Sequence, residues 1–249
     1  QAFEVMTKML SEVKDGHVNL YTPFNIGRYW AWYEEFPKNY SDSLERKYLK
    51  TDYRIASGMD YTIFDDNVGY IRCKSFLNNT GAGNLDNILL YMQPCRGLII
   101  DIRNNGGGNV NNAEELAARF TNEELLVGYI QHKTGTGHND FSSLQPQHLK
   151  PGKGIRWQKP VIILTNRSVY SAANEFVKYM KCCPKAKIVG DKTGGGAGLP
   201  FSSELPNGWS IRFSACPMYD KNKQMTEFGI DPDYKVDISS SDFSHGRDT

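Results

Sequence analysis

The 249-residue chain contains no run of 18 or more apolar residues, so no segment reads as a membrane-spanning helix. It has no excess of charge of either sign: 29 basic against 28 acidic residues leave a net charge of +1. A protein that holds nucleic acid by its phosphates needs a basic face, so no nucleic-acid partner is expected. Cysteines are few and odd in number: Cys73, Cys95, Cys182, Cys183 and Cys216. An odd count excludes a fully paired disulfide framework, and the spacing matches no zinc pattern, which leaves buried thiols as the reading. Among the histidines, His132 and His138 lack a close third ligand, so neither a metal nor another cofactor is expected. No signal peptide opens the chain. It begins, without a methionine, in what already reads as an amphipathic helix (Phe3, Met6, Met9, Leu10, Val13), the opening expected of a processed or trimmed product. There is no internal repeat and no long linker.

What is present is an alternation of strands and helices from Tyr61 onward. Val68–Phe76 alternates like a strand, and Leu85, Ile88, Leu89 and Met92 line one face of a helix. Gly97–Arg103 is a second strand, followed by a glycine turn and a helix bearing Leu116, Ala117 and Phe120. Val161–Leu164 is a short β-branched run of the kind covered on both faces, and Ala186–Gly190 is another strand. This order predicts α/β layering with largely parallel strands. Asn207-Gly208 marks a hairpin between Phe201–Leu205 and Trp209–Phe213. Residues 1–60 form a first region, with a helix, a histidine-bearing turn and an aromatic cluster (Tyr29, Trp30, Trp32, Tyr33, Phe36, Tyr40) suited to packing or a groove wall. Residues 61–249 form the α/β core, and the two regions together are expected to make one compact domain. Residues 121–158 read as a mobile surface loop, and the last dozen residues as a loose tail.

Two glycine-rich turns invite a phosphate-binding reading. A P-loop closes its glycines with a Lys-Ser/Thr pair, which neither Gly106–Gly108 nor Gly194–Gly196 has, and the dinucleotide fingerprint lacks its last glycine. The remaining use of Gly106–Gly108 is to bring backbone amides close to a ligand. Ser171 sits between the strand Val161–Leu164 and a helix with Phe176, Val177, Met180 and Cys183 as its apolar stripe. A serine at a helix mouth beside a strand's carboxyl end is either an ordinary N-cap or a reacting group served by free amides. As a nucleophile it needs a base, and lysine and histidine are the candidates.

Five motifs occur in order: Asp15-Gly-His17, Gly97-Leu-Ile-Ile-Asp-Ile-Arg-Asn-Asn-Gly-Gly-Gly108, Ser171-Ala-Ala-Asn-Glu-Phe176, Val189-Gly-Asp-Lys-Thr-Gly-Gly-Gly196 and Gly229-Ile-Asp-Pro-Asp233. Together they resemble the C-terminal processing peptidases, the S41 serine peptidases. One branch of that family carries a PDZ domain and a serine–lysine dyad. Here the position of the lysine is Gly196, and the residues between His17 and Tyr61 are too few for a PDZ domain. The chain is more similar to the tricorn-core and interphotoreceptor-retinoid-binding-protein-like branch, which uses serine, histidine and glutamate. The resemblance implies Ser171 as nucleophile, His17 as general base and Glu227 as the acid that orients the imidazole. It implies oxyanion donors on the amides of Gly107 or Gly108 and of Ala172, and substrate contacts at Gly194, Gly195 and Gly196. In the tricorn core a serine precedes the histidine; here that position is Gly16.

The resemblance further implies a ClpP/crotonase-like core of stacked βα units, a peptide or protein substrate cleaved through an acyl-enzyme, and an extracytoplasmic location, periplasmic or as a lipoprotein. A second reading is a catalytically silent module of the same fold that binds a ligand or peptide. A third is an acyl-thioester enzyme of the crotonase type, indifferent to Ser171→Ala.

Overall fold

Residues 1–248 are described by a computed structural model, whose elements follow the apolar periodicity closely. Helix α1 (Ala2–Ser11) leads to the short strands β1 (Asn19–Tyr21) and β2 (Ile26–Arg28); helices α2 (Ala31–Glu34) and α3 (Asp42–Leu49) come next. Strands β3 (Arg54–Ala56), β4 (Met59–Ile63) and β5 (Val68–Cys73) are followed by α4 (Ala82–Tyr91), β6 (Gly97–Asp101) and α5 (Val110–Ala117). Then come β7 (Leu125–Ile130), β8 (Gln145–Leu149), β9 (Val161–Thr165), α6 (Ala172–Met180) and β10 (Ala186–Gly190). The rest comprises β11 (Phe201–Glu204), β12 (Ser210–Phe213), β13 (Met218–Asp220), β14 (Tyr234–Lys235) and α7 (Ser240–Ser244).

The central sheet has seven strands in the order β14-β10-β9-β6-β5-β4-β3. It is parallel from β14 to β5, and β4 and β3 extend it antiparallel. The connections β5–α4–β6 and β9–α6–β10 each carry the chain through a helix to a parallel strand, as a parallel pair requires. Leu85, Ile88 and Leu89 of α4, Ala113 and Leu116 of α5, and Phe176, Val177 and Met180 of α6 share one core with Ile71, Ile100, Ile163 and Ile188 of the sheet. Phe176 meets Phe76 at 5.5 Å between ring centroids, and both are fully buried. Burying one such ring contributes about 1.5–3 kcal/mol.

The other face of the sheet is less well covered. Ile162 is 39% exposed while its neighbours Val161 and Ile163 are buried, so β9 is not sealed on both faces as its apolar run suggests. A β-branched run fits a half-covered strand equally well. Tyr48, Phe64 and Ile238 line an apolar cavity of about 270 Å³ on this face, one that Ser171 does not line.

Residues 121–158 are not a loop throughout. β7 and β8 pair with β13 in a three-stranded antiparallel sheet, and Leu149 and Val127 enter the core. Polar residues on the outer face conceal the strand period there. The hairpin around Asn207-Gly208 forms as expected, and β12 also pairs with β1, giving the sheet β11-β12-β1-β2. The tail is partly helical: Ser239 caps α7 by accepting from the Asp242 amide, and Asp248 forms an ion pair with Arg103 at 2.7 Å.

Candidate active site

Strands β6, β9 and β10 are neighbours, so the three turns that leave their carboxyl ends lie side by side. Crevices at the carboxyl ends of parallel strands are where ligands gather in open α/β sheets. The turn after β9 carries Ser171, the turn after β6 carries Gly106–Gly108, and the turn after β10 carries Gly194–Gly196. Backbone hydrogen bonds lace them together: Tyr170 N donates to Asn105 O at 3.0 Å, Ser171 N to Gly195 O at 2.8 Å and Gly194 N to Val169 O at 2.8 Å.

Ser171 precedes α6 with φ 56° and ψ −124°, a conformation L-residues rarely adopt. Such strain costs of order 1–3 kcal/mol and persists only where the surroundings impose it. Its side chain makes no capping hydrogen bond to the helix, so the ordinary N-cap role is not in use. Gly107, at φ +100°, lies so close that a Cβ there would stand 2.8 Å from the Ser171 Cβ and 2.9 Å from the Ala172 amide nitrogen. No side chain fits. The Gly107 amide is occupied by Asn105 Oδ1 at 2.9 Å. Among the described residues the amides of Gly108 and Ala172 donate to no protein acceptor. Both residues line a cleft of about 320 Å³ together with Ser171, Glu175, Arg212 and Met218.

His17 lies in the turn before β1, which Asp15 organises by accepting the His17 amide on Oδ1 at 2.7 Å. The imidazole is buried and packs on Tyr170, the residue before the serine, at 4.9 Å between centroids. This places the imidazole on the serine's side of the molecule, although among the described residues no hydrogen bond joins His17 to Ser171. Its Nδ1 is buried and, among the described residues, has no hydrogen-bond partner. Burial, opposed by the Asp15 charge and aided by Arg212, lowers its pKa from 6.5 to about 4.

Glu227 stands near, but its carboxyl hydrogen-bonds Asp15 rather than the imidazole. Burial first, then the Asp15 charge and this shared hydrogen bond, push Glu227 from 4.5 up to about 8. Asp15 therefore carries several roles: its Oδ2 also receives Ser214 Oγ at 2.7 Å, and Oδ1 also receives the Tyr170 hydroxyl at 3.2 Å. Gly195 packs against the Glu227 carbonyl, and Gly196 N donates to the same oxygen at 2.9 Å. Gly194 abuts Trp32. Of the three glycines assigned to substrate, only Gly196 lines the serine's cleft; Gly194 and Gly195 instead hold neighbouring segments.

One turn along α6, Glu175 is buried with Lys178, their charges 2.5 Å apart. Among the described residues neither Glu175 oxygen accepts a hydrogen bond, so the pair interacts as ions in contact. Among the described residues the Arg212 guanidinium has neither a hydrogen-bond nor an ion-pair partner, and it faces the same cleft.

The family model for Peptidase family S41 matches residues 67–236. The chain belongs to that family. A solved structure of a peptidase candidate from Parabacteroides merdae shares 53% identity, with a TM-score of 0.95 over 99% of this chain and 79% of that one. A "Probable CtpA-like serine protease" of Staphylococcus epidermidis is 31% identical over 150 residues, 59% of this chain. The chain spans only 29% of the length of that relative. A lipoprotein from Streptococcus agalactiae shares the fold at 20% identity, with a TM-score of 0.56 over 81% of this chain and 71% of that one.

At both positions where the chain departs from the motifs it resembles, Gly196 and Gly16, aromatic side chains leave no room for a larger residue. A side chain at Gly196 would run into the Tyr170 ring, its Cβ 2.8 Å from Cδ1, and one at Gly16 would meet the Tyr170 hydroxyl at 2.7 Å and Trp32 Nε1 at 2.5 Å. Tyr170 fills the space at Gly196, and Tyr170 and Trp32 together fill that at Gly16. Sequence reasoning gave no role to Tyr170, Arg212 or Asp15, though Asp15 stood in the Asp15-Gly-His17 motif; adjacency to the serine was the available signal for Tyr170. The aromatic cluster supports this region, with Trp32 stacked on Tyr170 at 4.1 Å and Arg167 over Phe36.

Proposed function

We propose that the chain is the catalytic core of a serine peptidase acting on extended peptides through an acyl-enzyme. The observation that carries this reading is Ser171 on a strained strand-to-helix turn, its side chain free of capping and beside the unoccupied amides of Gly108 and Ala172. Ser171 Oγ attacks the scissile carbonyl while His17 takes its proton and returns it to the departing amine; water then cleaves the ester by the same route. The two amides receive the oxyanion, a contribution of order 10²–10³ in rate for one donor. His17 is neutral at pH 7, as a proton acceptor must be, and the Asp15 charge, which reaches the ring without a hydrogen bond to it, favours the imidazolium that forms. Glu227, whose carboxyl bonds Asp15 and not the imidazole, is assigned an indirect part, holding Asp15 in place.

The unpaired Arg212 suits a substrate carboxylate at the cleft wall. An extracytoplasmic location belongs to the same reading and is supported by the lipoprotein that shares the fold. The experiment is a peptide-library digest by the native chain and by Ser171→Ala: cleavage lost with the serine upholds the proposal, and equal cleavage or none removes it. The lack of a hydrogen bond between His17 and Ser171 favours, as a second reading, a silent peptide-binding module. That module would bind library peptides and release them intact.

A further inference from the structure

We propose that Tyr170 is a positioning residue of this site, its hydroxyl fastening the Asp15–Glu227 pair while its ring fixes the plane of His17. The inference rests on the reading of Ser171 and His17 given above. The Tyr170 ring lies between the Trp32 indole, stacked at 4.1 Å, and the His17 imidazole, tilted by 57° at 4.9 Å. It is 6% exposed and has no room to swing away. Its hydroxyl donates to Asp15 Oδ1 at 3.2 Å, the same oxygen that receives the His17 amide at 2.7 Å. One carboxylate oxygen therefore ties the tyrosine to the backbone of the base. The other is held by Ser214, and Glu227 closes the group.

Gly16 and Gly196 flank the phenol and leave it space that any side chain would fill. With no acceptor on Nδ1, the imidazole is oriented by this ring and by the turn that Asp15 holds. The plainer account is a buried tyrosine with a satisfied hydroxyl, present only for packing. The two accounts differ in the pH profile. Asp15 in the turn after α1 and Glu227 ahead of β14 act on the phenol, Asp15 and Arg212 of β12 act on His17, and Glu175 of α6 acts on Glu227. The Asp15 charge favours the protonated imidazole, and the phenol hydrogen bond screens part of that charge. Removing the hydroxyl therefore moves protonation of His17, and with it the acid limb of reactivity, to higher pH.

The test is covalent labelling of Ser171 by a fluorophosphonate probe, resolved into kinact and KI from pH 4 to 9. Tyr170→Phe keeps the ring; its kinact is expected to fall about tenfold, with KI changed less than about twofold and the acid limb moved upward. Gly16→Ala keeps the tyrosine but sets a Cβ against both its hydroxyl and Trp32 Nε1, pushing the hydroxyl off Asp15, and is expected to move the limb the same way. This second variant carries the test should Tyr170→Phe fail to fold. If a folded variant lowers only the melting temperature, with kinact and the limb as in the native chain, Tyr170 serves packing alone and the inference is overturned. If the native chain itself takes no label, the reading of Ser171 fails and this assignment falls with it.

Discussion

Replacing Glu227 with glutamine separates the two buried ionisable groups of the site by their opposite effects on stability. Glu227 is held up at about 8 against an ordinary 4.5, so between those values the folded chain keeps a proton that the unfolded chain releases. Stability then falls as pH rises, by about 1.4 kcal/mol per unit at most. His17 is held down at about 4 against 6.5, so between those values the unfolded chain binds the extra proton and stability rises with pH. The two slopes offset each other from about pH 4.5 to 6.5. Above 6.5 Glu227 acts alone, and the native chain is expected to lose roughly 2 kcal/mol by pH 8 on this account. The amide of Glu227→Gln does not titrate and can still donate to Asp15. Urea denaturation at half-unit steps from pH 5 to 8.5 gives the difference in unfolding free energy between variant and native chain, from which all other groups cancel. That difference should grow in the variant's favour up to about pH 8 and then level off. A constant difference over the range would refute the buried, proton-holding state of Glu227.

Gly196→Lys, which restores the residue of the serine–lysine branch, should create no dyad: the side chain meets the Tyr170 ring at φ +78°, and soluble yield and melting temperature should both drop, with a loss above about 2 kcal/mol. Gly107→Ala should abolish labelling of Ser171 by crowding the Ala172 amide, with circular dichroism reporting whether the fold survives. Lys178→Met strands the Glu175 charge in the core and should cost about 3–5 kcal/mol in denaturant titration, whereas the double change Glu175→Gln with Lys178→Met should cost less. Arg212→Met removes a positive charge that lowers the His17 pKa, so the acid limb of activity should move upward and any preference for acidic peptides should weaken.

Much of the scaffold was legible because its elements have regular periods. The stripe Phe176, Val177 and Met180 marked α6, and Gly97–Arg103 and Val161–Leu164 marked two central strands. Ser171 was legible from the break between a buried strand and a helix, and its neighbours from short glycine motifs. The sheet of β7, β8 and β13 was not, because its outward residues are polar and β13 pairs from far along the chain. The acid arrangement also escaped. Nothing in the spacing of His17 and Glu227 says that Asp15 stands between them, since that contact is made only when β12 pairs with β1 and the segment before β14 folds over the turn. Nothing in the sequence singled out Tyr170; its part depends on the empty Cβ positions of Gly16 and Gly196, a fact of three dimensions.

The most direct test of the central claim is mass-spectrometric mapping of a fluorophosphonate adduct on the native chain at pH 7.5. A single adduct on Ser171, absent from Ser171→Ala and strongly slowed in His17→Ala, is the predicted result. No adduct on a well-folded native chain, or one that forms equally fast without His17, would contradict it.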